Sequence, residues 1–550
     1  MTELNLTQSI LPPPGTGATH TAATWLLLVL LLVPWLSPFA SGPSPGVIPW
    51  LVSLASISVF LLCTLVRAPA VGRLTATSWL LAGTISSGIA LVQYFGLSAQ
   101  FSPWMNVTQA GEAFANLRQR NQFATLTNLA LVALLCFARV AAPASGRPLA
   151  LAGAATPQRR LNVWWMVLAA LLLAAGNAAS GSRTGLVQLL LVAALALVYR
   201  WSAQAQVRNL MLVGALGYIA AVLVMPRLAG LDLFSTGMMT RLQDSAPACQ
   251  SRLTLWSNVL HLVAQKPWAG WGWRELDYAH FMTLYPGARF CDILDNAHNL
   301  PLHLAVELGV PVALVLSGTG LWLVWRARPW RESLLERQMA WAGLCLILLH
   351  SLLEYPLWYG PFQIAAALCV WLLWTTRTLA PNGTARPVWS AAHAGRSARG
   401  SAYRAMAAVL ASAALAASAF AGWDYWRVSQ IYLAPEQRSP GYQDNTLQKI
   451  EGSWLFANQV RFARLSTIDL RPDNAQEIHD LALDLLHFSP EAKVAEKVIE
   501  SAVMLGRDDE ALVYLKRYRV AFPADHARWA AANKAVATVP GATPASDGSR

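Results

Sequence analysis

The sequence predicts an all-α fold: a polytopic transmembrane bundle of about eleven spans, with a large polar loop and a soluble helical tail. Three observations predict it. The 550 residues are 55% hydrophobic and 13% charged, where a soluble domain carries about 45–50% apolar and about 25% charged residues. Apolar runs of about 20 residues, the length that crosses a bilayer, recur along the chain. Between them the arginines fall in alternate loops, which is the pattern that orients membrane helices.

The runs lie near 22–40, 47–66, 75–93, 121–138, 162–179, 184–200, 207–225, 305–326, 338–354, 361–376 and 404–423. With the N-terminus in the cytoplasm, the inside loops hold Arg67 and Arg73; Arg139, Arg147, Arg159 and Arg160; Arg200 and Arg208; Arg326, Arg328, Arg331 and Arg337; and Arg377, Arg386, Arg396 and Arg399. The short outside loops hold Arg118, Arg120 and Arg183. An odd number of spans then puts the tail outside, together with the long loop. Four regions follow: N-terminal membrane helices over 1–225, the outer loop over 226–296, further membrane helices over 297–423, and the tail over 424–550. The first 21 residues contain no Lys or Arg, so the positive start of a cleavable signal peptide is missing.

The net charge of +12 does not make a nucleic-acid surface. Its arginines are scattered between apolar runs and form no single basic face. Cys63, Cys136, Cys345 and Cys369 fall in apolar spans and read as packing residues. Cys249 and Cys291 fall in the outer loop. In an oxidising compartment they are a candidate disulfide; the sequence leaves two free thiols equally open. The aromatic residues of that loop suit a membrane–water interface.

In the tail, AKVAEKVIESAVMLGRDDEALVYLKRYRVAFP reads as a helix, a turn at Gly506–Asp508, a second helix, and a stop at Pro523. That length matches one tetratricopeptide-like pair. One pair cannot bury a solenoid core alone, so 445–489 is expected to supply more helices. The last dozen residues have the composition of a disordered end.

The unusual polar residues gather on the outer side, where ionisable groups at membrane depth are costly and tend to serve function. In SGSRTG at 180–185, Ser182 or Thr184 can cap a new helix and Arg183 stands at its start. A guanidinium beside free helix N–H groups is an anion site; the same string also fits a capped turn with a snorkelling arginine. In DNAHNLPLHLAVELGVP at 295–311, Pro301 suits a first helical turn and leaves His298 just outside it. The positive helix end favours a neutral imidazole there, able to take a proton from a hydroxyl. His303 and Glu307 are spaced to pair on that helix. In HSLLEYPLWYG at 350–360, His350 and Glu354 have the same spacing, and Tyr355-Pro356 ends the helix. Arg252 and Trp256 in the outer loop suit a phosphate and a sugar ring. For the last three sets, interface hydrogen bonding, a helix-end pair and a solvated arginine are the competing readings. The sequence has no Walker motif, HExxH, DxD pair or carboxylate cage, so neither a metal nor another cofactor is expected.

Taken together, RQRNQFATL (118–126), SGSRTG, SRLTLWSNVL with PWAGWGW (251–273), DNAHNLPLHLAVELG and HSLLEYPLWYGPF resemble the O-antigen ligase/polymerase superfamily. EYPLWY and NLRQRNQ resemble its branch of PglL-type bacterial protein O-oligosaccharyltransferases, which glycosylate pilins and other exported proteins. The resemblance runs from about residue 20 to 520. It implies an inner-membrane glycosyltransferase, without metal or other cofactor, whose partners are membrane lipid, an undecaprenyl-diphosphate-linked glycan and an acceptor pilin or other exported protein. It also implies a periplasmic active site and tail. By the family's motifs, Arg183 and Arg252 would hold the diphosphate and His298 would be the essential histidine. The candidate donor- and acceptor-binding residues are Arg118, Trp256, Arg274, His303, Glu307, His350, Glu354 and Tyr355. Two sister activities share these motifs, lipopolysaccharide O-antigen ligation and O-antigen polymerisation. A lipid-linked glycan transporter is the alternative of another class. It fits less well, because transporter charges sit near the bilayer midplane and often accompany inverted repeats.

Overall fold

A computed structural model describes residues 18–66, 69–141, 157–232, 248–377 and 398–537. The tail end read as disordered, the outer-loop Arg241, and the loop arginines Arg67, Arg147, Arg386 and Arg396 lie outside the described residues.

Every regular element among the described residues is helical. In chain order the principal ones are α1 (Ala18–Leu36), α2 (Val47–Val66), α3 (Val71–Tyr94), α4 (Arg120–Ala141), α5 (Pro157–Ser180), α6 (Arg183–Val198), α7 (Ala205–Leu228), α8 (Arg252–Gln265), α9 (Leu276–Met282), α10 (Leu300–Leu308), α11 (Val310–Ala327), α12 (Leu335–Ser351), α13 (Gly360–Thr375), α14 (Ala398–Ser429), α15 (Thr446–Ile450), α16 (Ala457–Thr467), α17 (Ala475–Leu486), α18 (Ala492–Met504), α19 (Asp508–Ala521) and α20 (Pro523–Ala537). Seven are long and apolar enough to cross a membrane: α2, α3, α4, α5, α7, α11 and α14. The other four predicted spans are helical but shorter. α6 has 16 residues, α12 has 17 and α13 has 16, and the apolar part of α1 covers Ala22–Leu36.

The chain divides into two compact units, 1–244 with 321–423, and 245–320 with 424–550. In the first, α4 is the central helix. Every residue from Gln122 to Ala138 is buried, because α3, α5, α6 and α12 pack around it. Leu190 and Leu197 on α6 and Leu212 and Leu216 on α7 are exposed. An apolar surface of that extent is suited to hydrocarbon rather than water.

The second unit joins the outer loop to the tail. The large polar loop contains helices. It forms α8 and α9 over a core of Leu255, Val259, Leu262, Leu276 and Val306. Some aromatic residues assigned to an interface pack against this core instead, Trp256, Trp271 and Tyr285 among them. Phe281 of α9 joins the tail core of Ile478, Leu485, Val494, Val498 and Tyr518. Tyr278 stacks on His487 at 3.7 Å, and Arg517 Nε donates to the Met282 carbonyl at 2.8 Å. The helix–turn–helix of the tail is α18 and α19, with Gly506 at φ +71° between them. Pro523 ends α19 and also opens α20, since proline suits the first turn of a helix.

The span predicted at 305–326 is corrected. The chain breaks at Gly309 into the short α10 and the apolar α11. Gly309 has φ +89°, and a Cβ there would lie 2.2 Å from the Trp268 carbonyl oxygen. A side chain therefore has no room at the break.

Candidate functional site

In the first unit the site residues sit at helix ends. Ser182 caps α6: its hydroxyl accepts from Gly185 N at 2.9 Å, which satisfies one of the free donors of the first turn. Arg183 is the first helical residue and is exposed. The same Ser182 hydroxyl donates to Asn121 Oδ1 at 2.6 Å. Asn121 Nδ2 in turn donates to Glu354 Oε1 at 3.0 Å, and Gln119 Nε2 to Glu354 Oε2 at 3.2 Å. Glu354 is 5% exposed. Its carboxylate thus ties the start of α4 to the turn after α12, and through Asn121 to the cap that holds Arg183.

His350 reaches elsewhere. Its Nδ1 lies 2.9 Å from Thr125 Oγ1, which also contacts Gln188 Oε1 at 3.0 Å. A hydroxyl has one proton. If it goes to Gln188, Nδ1 is the donor toward Thr125. Tyr355 stacks on Tyr359 with ring centroids 5.8 Å apart. Arg118 is exposed, with φ +65°.

These amide partners were not read from the sequence. Gln93, fully buried, is another: its Oε1 accepts from the Phe114 and Ala115 amides at 3.1 and 2.7 Å, and its Nε2 donates to Asn106 and Ala115 carbonyls. It fastens the 95–119 loop to the end of α3. The available signal was a glutamine at the end of an apolar span.

In the second unit Arg252 opens α8, capped by Ser251, whose hydroxyl accepts from Thr254 N at 3.1 Å. A disulfide joins Cys249 to Cys291, with Cα atoms 5.2 Å apart. One turn after Arg252, the Trp256 indole N–H donates to the Ala297 carbonyl at 3.1 Å. Trp256 therefore braces the residue before His298, in addition to any face it offers a ligand.

His298 has φ +51°, and Arg274 has φ +64°. Left-handed backbone at non-glycine residues is costly, persists where surrounding structure enforces it, and collects at functional sites. The enforcement at His298 is visible. Its N–H donates to Asn296 Oδ1 at 2.9 Å, and the next residue, Asn299, caps α10 through Leu302 N at 3.1 Å. The far end of α10 is held by the PWAGWGW loop. Trp271 N donates to Val306 O at 2.8 Å and Gly272 N to Glu307 O at 3.0 Å, satisfying carbonyls a helix end leaves free. Lys266 Nζ sits 4.0 Å from the Trp271 ring centroid.

His303 and Glu307 meet as the spacing predicts, Nε2 to Oε2 at 3.6 Å, and both are buried. Burial raises the Glu307 carboxyl to about 7, against the Arg274 amide and guanidinium. Burial also lowers His303 to about 4, helped by His298. Asp277 rises to about 7, again mainly from burial. Burial raises Asp295, and His298 and Arg274 pull it back. Nearby His280 is a structural residue. Its Nδ1 meets the Tyr285 hydroxyl at 2.8 Å and its Nε2 the Phe290 carbonyl at 3.1 Å, and burial lowers it to about 3. No group of three metal-binding side chains occurs among the described residues.

Three family models match parts of the chain. Residues 113–135 match "Protein glycosylation ligase", 167–317 match "O-Antigen ligase", and 338–537 match "Virulence factor membrane-bound polymerase, C-terminal". Among curated proteins, the chain is similar to a general O-oligosaccharyltransferase of Acinetobacter baylyi, 26% identical over 322 residues, covering 57% of this chain and 52% of the relative. It is also similar to a ComP-specific O-oligosaccharyltransferase of the same organism, 26% identical over 282 residues, covering 51% of this chain and 46% of the relative. The chain thus spans about half the length of the curated relatives it matches.

Proposed function

We propose, for a chain that belongs to the O-antigen ligase superfamily, the activity of a protein O-oligosaccharyltransferase. It transfers a preassembled glycan from undecaprenyl diphosphate to Ser or Thr hydroxyls of exported proteins such as pilin, at the periplasmic face of the inner membrane. One observation carries this reading over its sisters. The segment matching protein glycosylation ligases, 113–135, contains Gln119 and Asn121, the amides that hold Glu354 and the Arg183 cap.

Arg183 and Arg252 hold the diphosphate and neutralise the charge that grows on it as it leaves, the electrostatic stabilisation typical of transfer reactions. His298 accepts the proton of the acceptor hydroxyl. The acceptor oxygen bonds to the anomeric carbon as the bond from that carbon to the diphosphate oxygen breaks. One displacement inverts the anomeric centre. Glu307, held up near neutrality with His303 beside it, lies in the helix that follows His298 and suits passing that proton on. The tail, read as a tetratricopeptide-like surface, presents the acceptor protein.

The match of 338–537 to a membrane-bound polymerase favours polymerisation as the second reading. Co-expression with a lipid-linked glycan and a candidate pilin separates the two. A mass increase on a pilin Ser or Thr, absent with His298→Ala, is the expected result. Glycan ladders on lipid A-core or on undecaprenyl diphosphate, with unmodified pilin, would move the assignment to a sister activity.

A further inference from the structure

The first unit contains a cavity of about 330 Å³ where the end of α1 and the starts of α2, α4 and α13 come together. We infer that this cavity binds the sugar ring adjacent to the diphosphate of the glycan donor, an inference that rests on the transferase reading.

Its lining combines two chemistries. Trp50, Trp358 and Tyr359 supply aromatic faces, and Arg118, Gln119 and Gln122 supply polar groups. A pyranose presents apolar C–H faces and a rim of hydroxyls, and needs both. Pockets of this size with a few placed polar groups are the usual form of small-ligand sites.

The decisive group is Gln122. It is 1% exposed, and its Nε2 has no hydrogen-bond partner among the described residues. A buried amide donor left unsatisfied is unfavourable; Nε2 is closed to a water-sized probe, and a turn of the side chain toward the cavity it lines would give that donor a sugar hydroxyl. A polyprenyl tail offers no acceptor for it. A diphosphate calls for clustered cations, whereas Arg118 is the one charged residue among the described lining residues. One wall of the cavity is closely packed. Gly360 opens α13 directly against α2, and a Cβ there would lie 2.3 Å from Ser53. Of its wall, Asn116, Leu117, Arg118, Gln119 and Gln122 fall inside the segment that matches protein glycosylation ligases.

The test uses the full chain in lipid nanodiscs and measures affinity for undecaprenyl diphosphate, bare and carrying a single glucose, galactose or N-acetylglucosamine. At least one sugar-bearing lipid should bind about tenfold tighter than the bare lipid. Gln122→Leu and Trp358→Ala should each erase that gain and leave bare-lipid affinity unchanged. Trp358 is 38% exposed, so its variant decides the matter if Gln122→Leu fails to fold. The inference is overturned if no sugar adds affinity, if the gain survives both substitutions, or if they weaken the bare lipid equally. A parent that shows the sugar-dependent gain yet glycosylates no protein would instead overturn the transferase reading and leave the sugar site standing.

Discussion

The two halves of the proposed machinery are held in place by different means. In the first unit Arg183 is fixed by side chains: a serine cap, two amides and one buried carboxylate. In the second, it is the backbone of His298 itself that is held: a left-handed residue whose N–H donates to the Asn296 side chain, followed by Asn299, which caps a helix whose far end hydrogen-bonds to a glycine-rich loop. The difference follows from the tasks proposed. A guanidinium gripping phosphate needs only a charge at a helix start and tolerates some play. A proton-accepting imidazole must hold a hydrogen-bond distance to one oxygen, and backbone constraint limits it more tightly than a chain of rotatable side chains.

The backbone-held half should be the more brittle. Gly309→Ala places a methyl against the Trp268 carbonyl in a left-handed residue. It should destabilise the second unit by about 3 kcal/mol or more, seen as loss of folded, detergent-extractable protein. Intact yield would show that the α10–α11 break is not a constraint. Next, Cys249→Ser opens a disulfide spanning 42 residues. That should cost about 3–4 kcal/mol and lower Tm, and treatment of the parent with reductant should reproduce the drop. An unchanged Tm in both would remove the disulfide from the account.

The side-chain-held half should fail more gently. Glu354→Gln keeps the shape but weakens two charge-assisted hydrogen bonds. Transfer should fall about tenfold while Tm moves little, and Glu354→Ala should fall further. Equal activity in all three proteins would sever Glu354 from Arg183.

The smallest effect concerns pH. The folded Glu307 carboxyl, raised to about 7 from an ordinary 4.5, keeps its proton where the unfolded chain has lost it. Its contribution to stability is therefore present below about pH 4.5 and is lost as pH rises through 7. Glu307→Gln mimics the protonated form at every pH. Its Tm relative to the parent should climb by a few degrees between pH 4.5 and 7.5. A difference that stays flat with pH would mean the carboxyl is not raised.

Local features of both halves were legible in the sequence. The Ser182 cap, the Pro301 helix start, the His303–Glu307 spacing and the α18–α19 turn are each decided by residues a few positions apart. The partners of Glu354 were not, because Gln119 lies 235 residues away and only packing brings them together. The break at Gly309 was missed for another reason. Hydropathy averaged over a window runs straight through VELGVPVALV, although Gly309 and Pro311 both signal an interruption. The helices of the outer loop were not read from the sequence because their core is shared by short elements, and no single stretch carries enough apolar residues to announce it.

The most direct test of the central claim separates holding the donor from transferring the glycan. Full-length parent, Arg183→Ala and His298→Ala would be measured in nanodiscs for affinity toward the lipid-linked glycan and for single-turnover transfer to pilin. The account predicts that Arg183→Ala loses donor affinity, while His298→Ala binds donor like the parent yet transfers about 10²–10⁴-fold more slowly. Weakened donor binding in His298→Ala with transfer intact at saturating donor would contradict it, and would make His298 a phosphate ligand rather than the base.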